Sequence, residues 1–342
     1  LQLLLQLITT SIIRIMETDI KKIAVLTSGG DAPGMNAAIR AVVRTAISCG
    51  LEAVGVKRGY AGLLAGDFIP LKAQSVSKTI SLGGTFLKSA RCLEFKEAEY
   101  RKVAYENMKR EGIDALVVIG GDGSFRGAKA LYEEFKFPVV GVPATIDNDI
   151  YGTDYTIGFD TAINTAMDAI DKIRDTADSH NLVFFCEVMG RHNGYIALAT
   201  GLATGAEATL IPEFNYTEED LVQYLQFERR SSKTSGIIIV AEGNQYGNAT
   251  AMAAKIKEAM PDYDTRVTTL GHIQRGGSPT CSDRVLASVL GYNAVMALIE
   301  GKSNVMVAMS SNKVAYVPLE DAVNKKASIP ANYIRICHII SM

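Results

Sequence analysis

Residues 22–30, KIAVLTSGG, indicate the fold class of this 342-residue chain in one short stretch. The apolar run Lys22–Thr27 predicts a buried strand, and Ser28-Gly29-Gly30 predicts a tight turn. A helical pattern follows from about Met35. A strand, a glycine turn and a helix in this order are typical of a parallel α/β unit.

The same order returns at residues 114–124, where the apolar run Asp114–Ile119 precedes GGDGS and another helical pattern. Further strands are predicted at Val139–Pro143, Leu182–Val188, Ser235–Ala241 and Arg266–Leu270. Continuous valine and isoleucine runs are typical of strands buried on both faces, and their alternation with helices predicts parallel sheets. We therefore expect an α/β fold, with enough chain for two Rossmann-like lobes and with ligands at the carboxyl ends of the strands.

The composition narrows the class of partner. A formal net charge of −2 gives no global field for nucleic acid or for an anionic membrane, so we expect neither as a partner. Five cysteines and four histidines are scattered without the spacing of a zinc site. A cytoplasmic protein with reduced thiols is the expectation.

The first 15 residues, LQLLLQLITTSIIRI, are apolar but too few to span a bilayer as a helix. They lack a basic segment before the apolar run and a clear cleavage site, which argues against a secretory signal. We expect residues 1–18 to be an N-terminal extension outside the core. An amphipathic helix that binds a partner is the alternative.

Each of the two glycine turns carries an aspartate, Asp31 in the first and Asp122 in the second. Backbone N–H groups at a helix start suit phosphate, and a carboxylate beside phosphate requires a divalent cation such as Mg²⁺. The alternative for Asp122 is a helix N-cap. Neither turn has the Walker or GxGxxG pattern, so a P-loop NTPase and an ordinary Rossmann dehydrogenase are not indicated.

The segment Thr145–Asp149, TIDND, follows another predicted strand and carries two carboxylates, one of which could accept a proton. A turn rich in Asn and Asp is the alternative. Arginines among glycines at residues 187–191 and 266–277 suit a phosphate that is bound but not transferred. Taken singly, each arginine is more often a surface charge.

Together these segments resemble the bacterial-type, ATP-dependent 6-phosphofructokinase family from Ile20 onward. The matching runs are LTSGGDAPGMN (26–36), GGTFLKSAR (83–91), ALVVIGGDGS (115–124), TIDND (145–149), GTDYTIGFDTA (152–162), EVMGR (187–191) and TTLGHIQRGGSP (268–279). The resemblance implies transfer of the γ-phosphoryl group of MgATP to the 1-hydroxyl of fructose 6-phosphate, a step of glycolysis. It also implies a homotetramer, an active site in the cleft between the lobes, and completion of that site by a neighbouring subunit.

The resemblance further implies lobe assignments and residue roles. Residues 19–158 and about 274–324 would form the ATP-binding lobe, and residues 159–273 and about 325–342 the fructose 6-phosphate lobe. Asp147 would be the general base, and Asp122 would hold Mg²⁺. The other catalytic residues would be Gly30, Arg91, Thr145, Asp149 and Arg191. The ATP-binding residues would be Gly30, Arg91, Cys92, Gly121, Asp122, Gly123 and Ser124. The sugar phosphate would be held by Thr145, Ile146, Asp147, Met189, Gly190, Arg191, Glu242, His272 and Arg275, with Arg266 contributed by a neighbouring subunit.

The phosphoryl donor depends on two positions. Pyrophosphate-dependent members of the superfamily carry Asp where this chain has Gly123 and Lys where it has Ala144. The smaller residues leave room for a nucleotide, so ATP is expected, with pyrophosphate as the alternative.

Two departures from the family concern binding. Leu182 stands where many relatives place an arginine that contacts the 6-phosphate across a subunit boundary, so weaker or less cooperative binding of the sugar phosphate is expected, or a changed sugar specificity. The pattern of an effector pocket for ADP or phosphoenolpyruvate is partly kept, at Arg40, Arg44, Arg174, Gly205, Glu207 and Lys233. Because Ala73, Ser231 and Thr234 stand where relatives carry basic residues, we expect reduced allosteric control. For the arginines that are kept, Arg40, Arg44 and Arg174, the alternative is an ordinary surface charge or a salt bridge between subunits.

Two other functions remain as alternatives. Lipid and NAD kinases share a GGDG turn, but TIDND, EVMGR and GHIQRGG argue against them. A regulatory paralogue without full activity is supported by Leu182 alone.

Overall fold

The computed structural model of the protein describes residues 18–214, 222, 235–261 and 264–341. Two compact units account for them. The first contains the described residues up to Thr145, together with Ile150–Gly158 and Gly277–Ala327. The second contains Ile146–Asp149, the described part of Phe159–Gly276, and the described residues from Ser328 onward. The predicted extension lies outside the described residues, apart from Thr18.

The strands of the described residues, in chain order, are β1 (Lys22–Thr27), β2 (Glu52–Val56), β3 (Phe68–Leu71), β4 (Ala115–Gly120), β5 (Val139–Pro143), β6 (Val183–Val188), β7 (Ala208–Leu210), β8 (Gly236–Ala241), β9 (Thr265–Thr269), β10 (Val305–Ser310) and β11 (Lys313–Pro318). The α-helices are α1 (Met35–Ser48), α2 (Gly59–Ala65), α3 (Ala98–Arg110), α4 (Asp122–Phe135), α5 (Phe159–His180), α6 (Tyr195–Thr204), α7 (Ala249–Ala259), α8 (Cys281–Ile299), α9 (Leu319–Asn324) and α10 (Ala331–Ile340). Short 3₁₀-helices cover Glu94–Lys96 and Gly271–Arg275.

In the first unit, the described strands form one seven-stranded sheet in the order β11-β10-β5-β4-β1-β2-β3. The five inner strands are parallel, and the two outer ones, β3 and β11, are antiparallel to their neighbours. Strand β4 (ALVVIG) is buried at every residue, as a central strand covered on both faces must be. Since β1, β4 and β5 are adjacent and parallel, the segments that follow them lie at one edge of the sheet.

In the second unit, the described strands form a four-stranded parallel sheet in the order β7-β8-β6-β9. A core around Phe185, Ile238 and Ile256 packs α7 on this sheet. The segments after β8, β6 and β9 meet at the carboxyl edge for the same geometric reason.

The predicted α/β class with largely parallel sheets is confirmed. Strands β2, β3, β7, β10 and β11 were not predicted, and the two antiparallel edge strands among them, β3 and β11, are only partly buried. Within the described residues, no helix has the length and apolarity needed to cross a membrane.

Candidate active site

The first unit places the two glycine turns side by side. The backbone N–H of Ser28, after β1, donates to the carbonyl oxygen of Ile119 in β4 at 3.0 Å. A Cβ on Gly120 would come within 2.5 Å of both the Ser28 carbonyl oxygen and the Ser124 Oγ, so only glycine allows this approach. The two turns therefore bring Gly30, Gly121, Gly123 and Ser124 to one edge of the sheet.

Asp122 is the first residue of α4, and Gly121 is the N-cap residue. The alternative that Asp122 is the N-cap residue is therefore wrong, because the N-cap is the residue before it. Gly121 has no side chain that could cap the helix. The Oδ1 atom of Asp122 is buried without a hydrogen-bond partner. A buried carboxylate oxygen without a hydrogen-bond donor is costly, and a bound cation would remove that cost. Asp31 is exposed in the other turn.

No cluster of three or more acidic, histidine or cysteine side chains able to hold a metal exists among the described residues. A cation here would therefore have at most two such side chains as ligands, with other ligands from a bound molecule or water. Such a donor set fits Mg²⁺, which usually keeps waters and phosphate oxygens as ligands. The residues present fit the expected cation on these grounds.

The loop that leads to Arg91 and Cys92 is fixed by buried polar contacts. Asn36 of α1 is 1% exposed. Its Nδ2 donates to the carbonyl oxygens of Leu82 (3.1 Å) and Gly83 (3.0 Å), and its Oδ1 accepts from the Phe86 N–H (2.9 Å). The sequence analysis missed Asn36, although an asparagine inside a predicted helix after a glycine turn was a usable signal.

Thr27 at the end of β1 holds the same loop. Its hydroxyl lies 2.8 Å from the Thr85 hydroxyl and 3.0 Å from the Lys88 carbonyl oxygen. Arg91 itself is exposed, and Cys92 is half-buried with its thiol pKa raised by burial. Thr145 also belongs to this unit, and its carbonyl oxygen accepts from the Thr156 hydroxyl at 2.6 Å.

In the second unit, Asp147 is buried among charged residues. Its side chain lies in the segment Ile146–Asp149, and the residue is 9% exposed. Burial raises its pKa to about 6, and the negative charge of Asp149 acts in the same direction. Arg275 and Arg191 oppose this rise, and Glu242 supports it. A carboxylate with a pKa near neutrality is suited to accept and release protons.

The turn after β6 is held by two side chains from neighbouring strands. Glu242, after β8, accepts from the backbone N–H groups of Arg191 (2.6 Å) and Gly190 (3.3 Å) through Oε1. Gln274, after β9, accepts from the Met189 N–H at 2.9 Å. Gly190 has a φ of 146°, and a Cβ there would lie 2.6 Å from the Asn193 carbonyl oxygen. The sequence analysis did not single out Gln274, which is fully buried.

Arg275 and His272 lie on the 3₁₀-helix after β9. The Nε of Arg275 is buried and has no hydrogen-bond partner within the described residues. Arg266 is exposed on β9, which is an edge strand, and it pairs with Asp264. An unpartnered guanidinium nitrogen beside Asp147 is suited to an anionic ligand.

Three of the predicted effector residues lie together in the second unit. Arg174 Nη1 is 3.3 Å from Glu207 Oε1, and its Nη2 donates to the carbonyl oxygens of Thr204 (2.9 Å) and Gly205 (3.2 Å). Arg40 and Arg44 lie on α1 of the first unit. Lys233, Ser231 and Thr234 are outside the described residues.

Leu182 is buried at the amino end of β6, with 8% exposure. Its N–H donates to the Ala177 carbonyl oxygen, and its own carbonyl oxygen accepts from the Gly236 N–H. Met189, Gly190 and Arg191 follow the opposite, carboxyl end of the same strand.

The fold and these two sets of residues define an α/β protein with a phosphate-type turn on one sheet and a buried carboxylate among arginines on the other. The phosphofructokinase family model matches residues 22–298, and the chain belongs to that family. It is 52% identical to the ATP-dependent 6-phosphofructokinase 2 of Bacteroides thetaiotaomicron, over 94% of this chain and 99% of that protein. It is 53% identical to the ATP-dependent 6-phosphofructokinase 1 of Thermus thermophilus, over 94% of this chain and 100% of that protein.

A solved structure of phosphofructokinase from Saccharomyces cerevisiae matches with a TM-score of 0.82 and 40% sequence identity. The match covers 89% of this chain and 45% of the yeast chain. This chain therefore spans less than half of the yeast chain but nearly all of the two bacterial proteins.

Proposed function

We propose that this chain transfers the γ-phosphoryl group of ATP to the 1-hydroxyl of fructose 6-phosphate, giving fructose 1,6-bisphosphate and ADP. The observation that carries the proposal is Asp147, which is buried among charged side chains and whose pKa, raised to about 6, suits it to act as a general base at neutral pH. The bacterial relatives at 52–53% identity, both named ATP-dependent 6-phosphofructokinases, support the choice of reaction.

Asp147 takes the proton of the attacking hydroxyl as the new O–P bond forms. The bond from the γ-phosphorus to the bridging oxygen breaks, and ADP leaves with the electron pair. At pH 7 most Asp147 side chains are ionised, because the pKa of about 6 lies below that pH. A base whose pKa lies close to the working pH gains most from general-base catalysis.

The first unit is the proposed ATP-binding lobe. Backbone N–H groups of Gly30, Gly121 and Gly123, with the start of α4, bind the phosphates. Arg91 stabilises charge on the phosphoryl group in transfer, and Cys92 and Ser124 line the nucleotide site. Phosphoryl transfer depends mainly on such positioning and charge stabilisation.

Asp122 is the proposed ligand of Mg²⁺, with its unpartnered Oδ1 as the donor atom. When bound, the ion supplies neutralisation of the phosphate charge. The protein holds the carboxylate in place at the first residue of α4.

The second unit is the proposed sugar-phosphate lobe. Met189, Gly190, Arg191 and Glu242 hold the sugar, with Thr145 and Ile146 beside the base and Asp149 orienting it. The 6-phosphate is bound by His272 and Arg275, and the unpartnered Nε of Arg275 supports this role.

ATP is favoured over pyrophosphate as the donor. A Cβ on Gly123 would meet nothing within 4 Å, so the space beside this residue is open to a nucleotide. Ala144 is buried at 1% exposure, and it lacks the positive charge of the lysine that pyrophosphate-dependent members carry at this position.

We further propose a cytoplasmic homotetramer whose active sites are completed across subunits by Arg266, which is exposed on the edge strand β9. ADP or phosphoenolpyruvate is the proposed effector. Weakened control is proposed because Ala73, Ser231 and Thr234 stand where relatives carry basic residues. Arg174 and Glu207, which form an ion pair, belong to the part of the pattern that is kept.

A coupled assay with fructose 6-phosphate and either ATP or pyrophosphate tests the proposal. Turnover with MgATP and none with pyrophosphate is expected. Turnover only with pyrophosphate would show that pyrophosphate, and not ATP, is the phosphoryl donor. Absence of turnover with both, while the nucleotide and the sugar phosphate still bind, would instead support a regulatory paralogue.

A further inference from the structure

Arg126 and Asp122 form an ion pair at the start of α4 in which only one carboxylate oxygen is used. The guanidinium Nε and Nη2 of Arg126 lie 3.3 and 3.2 Å from Asp122 Oδ2. The other oxygen, Oδ1, is buried and has no hydrogen-bond partner. The two oxygens of this carboxylate are thus in different environments.

A backbone contact fixes the guanidinium. Nη2 of Arg126 also donates to the carbonyl oxygen of Val323 at 2.7 Å. Val323 is in the last turn of α9, where carbonyl groups lack partners inside the helix. The planar guanidinium is therefore held by two partners, the carboxylate through Nε and Nη2 and the end of another helix through Nη2.

Stability alone does not explain this arrangement. More than half of the Arg126 side chain is exposed, and exposed ion pairs four residues apart on a helix contribute little. An ordinary surface pair would also leave the second oxygen to water, whereas Oδ1 is enclosed. The geometry instead orients the carboxylate.

We propose that Arg126 is a positioning residue for the divalent cation that accompanies ATP. It holds Oδ2 of Asp122, so that the carboxylate presents only Oδ1 to the cation. The inference rests on the proposed function, because it needs a metal–nucleotide complex as the ligand. Side chains that orient metal ligands commonly change metal affinity by about 10–100-fold when removed.

Two substitutions separate orientation from charge. Arg126→Gln removes the charge and the three-point contact together. Arg126→Lys keeps the charge, but one ammonium cannot reproduce the fork that contacts both Asp122 and Val323. If Arg126 acts by orientation, both variants weaken the metal complex; if it acts as a simple charge on the phosphates, Lys restores binding.

The test is calorimetric titration of the full chain with the β,γ-imido analogue of ATP, once with Mg²⁺ and once with EDTA. Both variants are expected to bind the magnesium complex about tenfold more weakly and the metal-free analogue within about twofold of the wild type. In an Asp122→Asn background, Arg126→Gln is expected to have no further effect on the magnesium complex. Lys172→Gln, which breaks a similar exposed pair with Asp168 on α5, is the matched control and should change neither titration.

Equal weakening of the magnesium and metal-free titrations would overturn the proposal, as would full rescue by lysine or unchanged binding in both variants. A wild-type chain that binds the analogue equally with Mg²⁺ and EDTA would contradict the proposed function itself, and the positioning role with it. Magnesium-dependent binding in the wild type with no change in the variants would contradict the role of Arg126 alone.

Discussion

Glu242 Oε1 lies 2.6 Å from the backbone nitrogen of Arg191, so a carboxylate from the end of β8 holds the turn that follows β6. The same carboxylate raises the pKa of Asp147. One side chain therefore both fixes the position of an arginine and tunes the proposed base.

Glu242→Gln should shift the acid limb of the pH profile of kcat to lower pH. The amide keeps an oxygen acceptor for the turn but removes a negative charge, and without that charge the pKa of Asp147 falls. Ionised base then persists at more acidic pH. The measurement is kcat from pH 5 to 8 with saturating substrates.

Glu213→Gln is the control for this shift. Glu213 also accepts from a backbone N–H, that of Gly194 at 3.0 Å, but its charge is not among those that set the pKa of Asp147. An acid limb that moves equally in both variants would contradict the link between Glu242 and Asp147.

Asp147→Asn should stabilise the protein near pH 8. Burial raises the folded-state pKa of Asp147 from 3.8 to about 6, so the folded protein binds this proton more tightly than the unfolded chain does. The associated stability is fully present below about pH 4 and is lost as the pH rises through about 6. A shift of about two pKa units corresponds to about 3 kcal/mol in the free energy of unfolding.

Urea unfolding of both forms between pH 4 and pH 8 checks this linkage. The gain from asparagine should grow between about pH 4 and pH 6 and level off above about pH 7. A difference that is constant with pH would show that Asp147 titrates equally in the folded and unfolded chains.

Leu182→Arg should lower the KM for fructose 6-phosphate by about tenfold or more, since a charge-assisted hydrogen bond contributes about 1.5–3 kcal/mol. The same change should lower the free energy of unfolding, because Leu182 is buried. Leu182→Met keeps the volume without the charge and serves as the control. An unchanged KM in the arginine variant would mean that this position does not limit binding of the sugar phosphate.

Asn36→Ala should lower kcat/KM for ATP by at least about tenfold, because the loop that leads to Arg91 loses three hydrogen bonds and small misplacements near a reacting group are costly. Asn107→Ala is matched in chemistry, since Asn107 Nδ2 donates to the Leu63 and Leu64 carbonyl oxygens at 3.0 Å each. We expect it to cost stability and to leave kcat/KM within about twofold. An equal loss of kcat/KM in both variants would show that Asn36 has only a general structural role.

Several buried strands were predictable because their burial appears directly in the residue pattern, although the inner strands β2 and β10 were not predicted. Lys22–Thr27 and Val139–Pro143 match the structure residue for residue, since both are continuous apolar runs. Strand β11, KVAYVP, was not predicted although its central residues are apolar, and as an edge strand it is partly exposed.

The polar contacts of the site were less predictable. The motifs located Asp147 and Arg191, but the pKa of Asp147 depends on charges from residues more than 40 positions away, such as Glu242. The buried amide of Gln274 contacts a residue 85 positions earlier, and no local pattern encodes that distance. The pair of Asp122 and Arg126 is the exception, because a spacing of four on a predicted helix is visible in the sequence.

The most direct test is a single-turnover measurement with γ-labelled ATP, comparing the wild-type chain with Asp147→Asn at pH 8. In the wild type, the labelled phosphoryl group should pass to the 1-hydroxyl oxygen of fructose 6-phosphate. The asparagine variant should bind both substrates but transfer the label about a thousandfold more slowly, because its side chain cannot take the hydroxyl proton. Transfer by Asp147→Asn within tenfold of the wild-type rate, or no transfer by the wild type, would contradict the proposed reaction and its base.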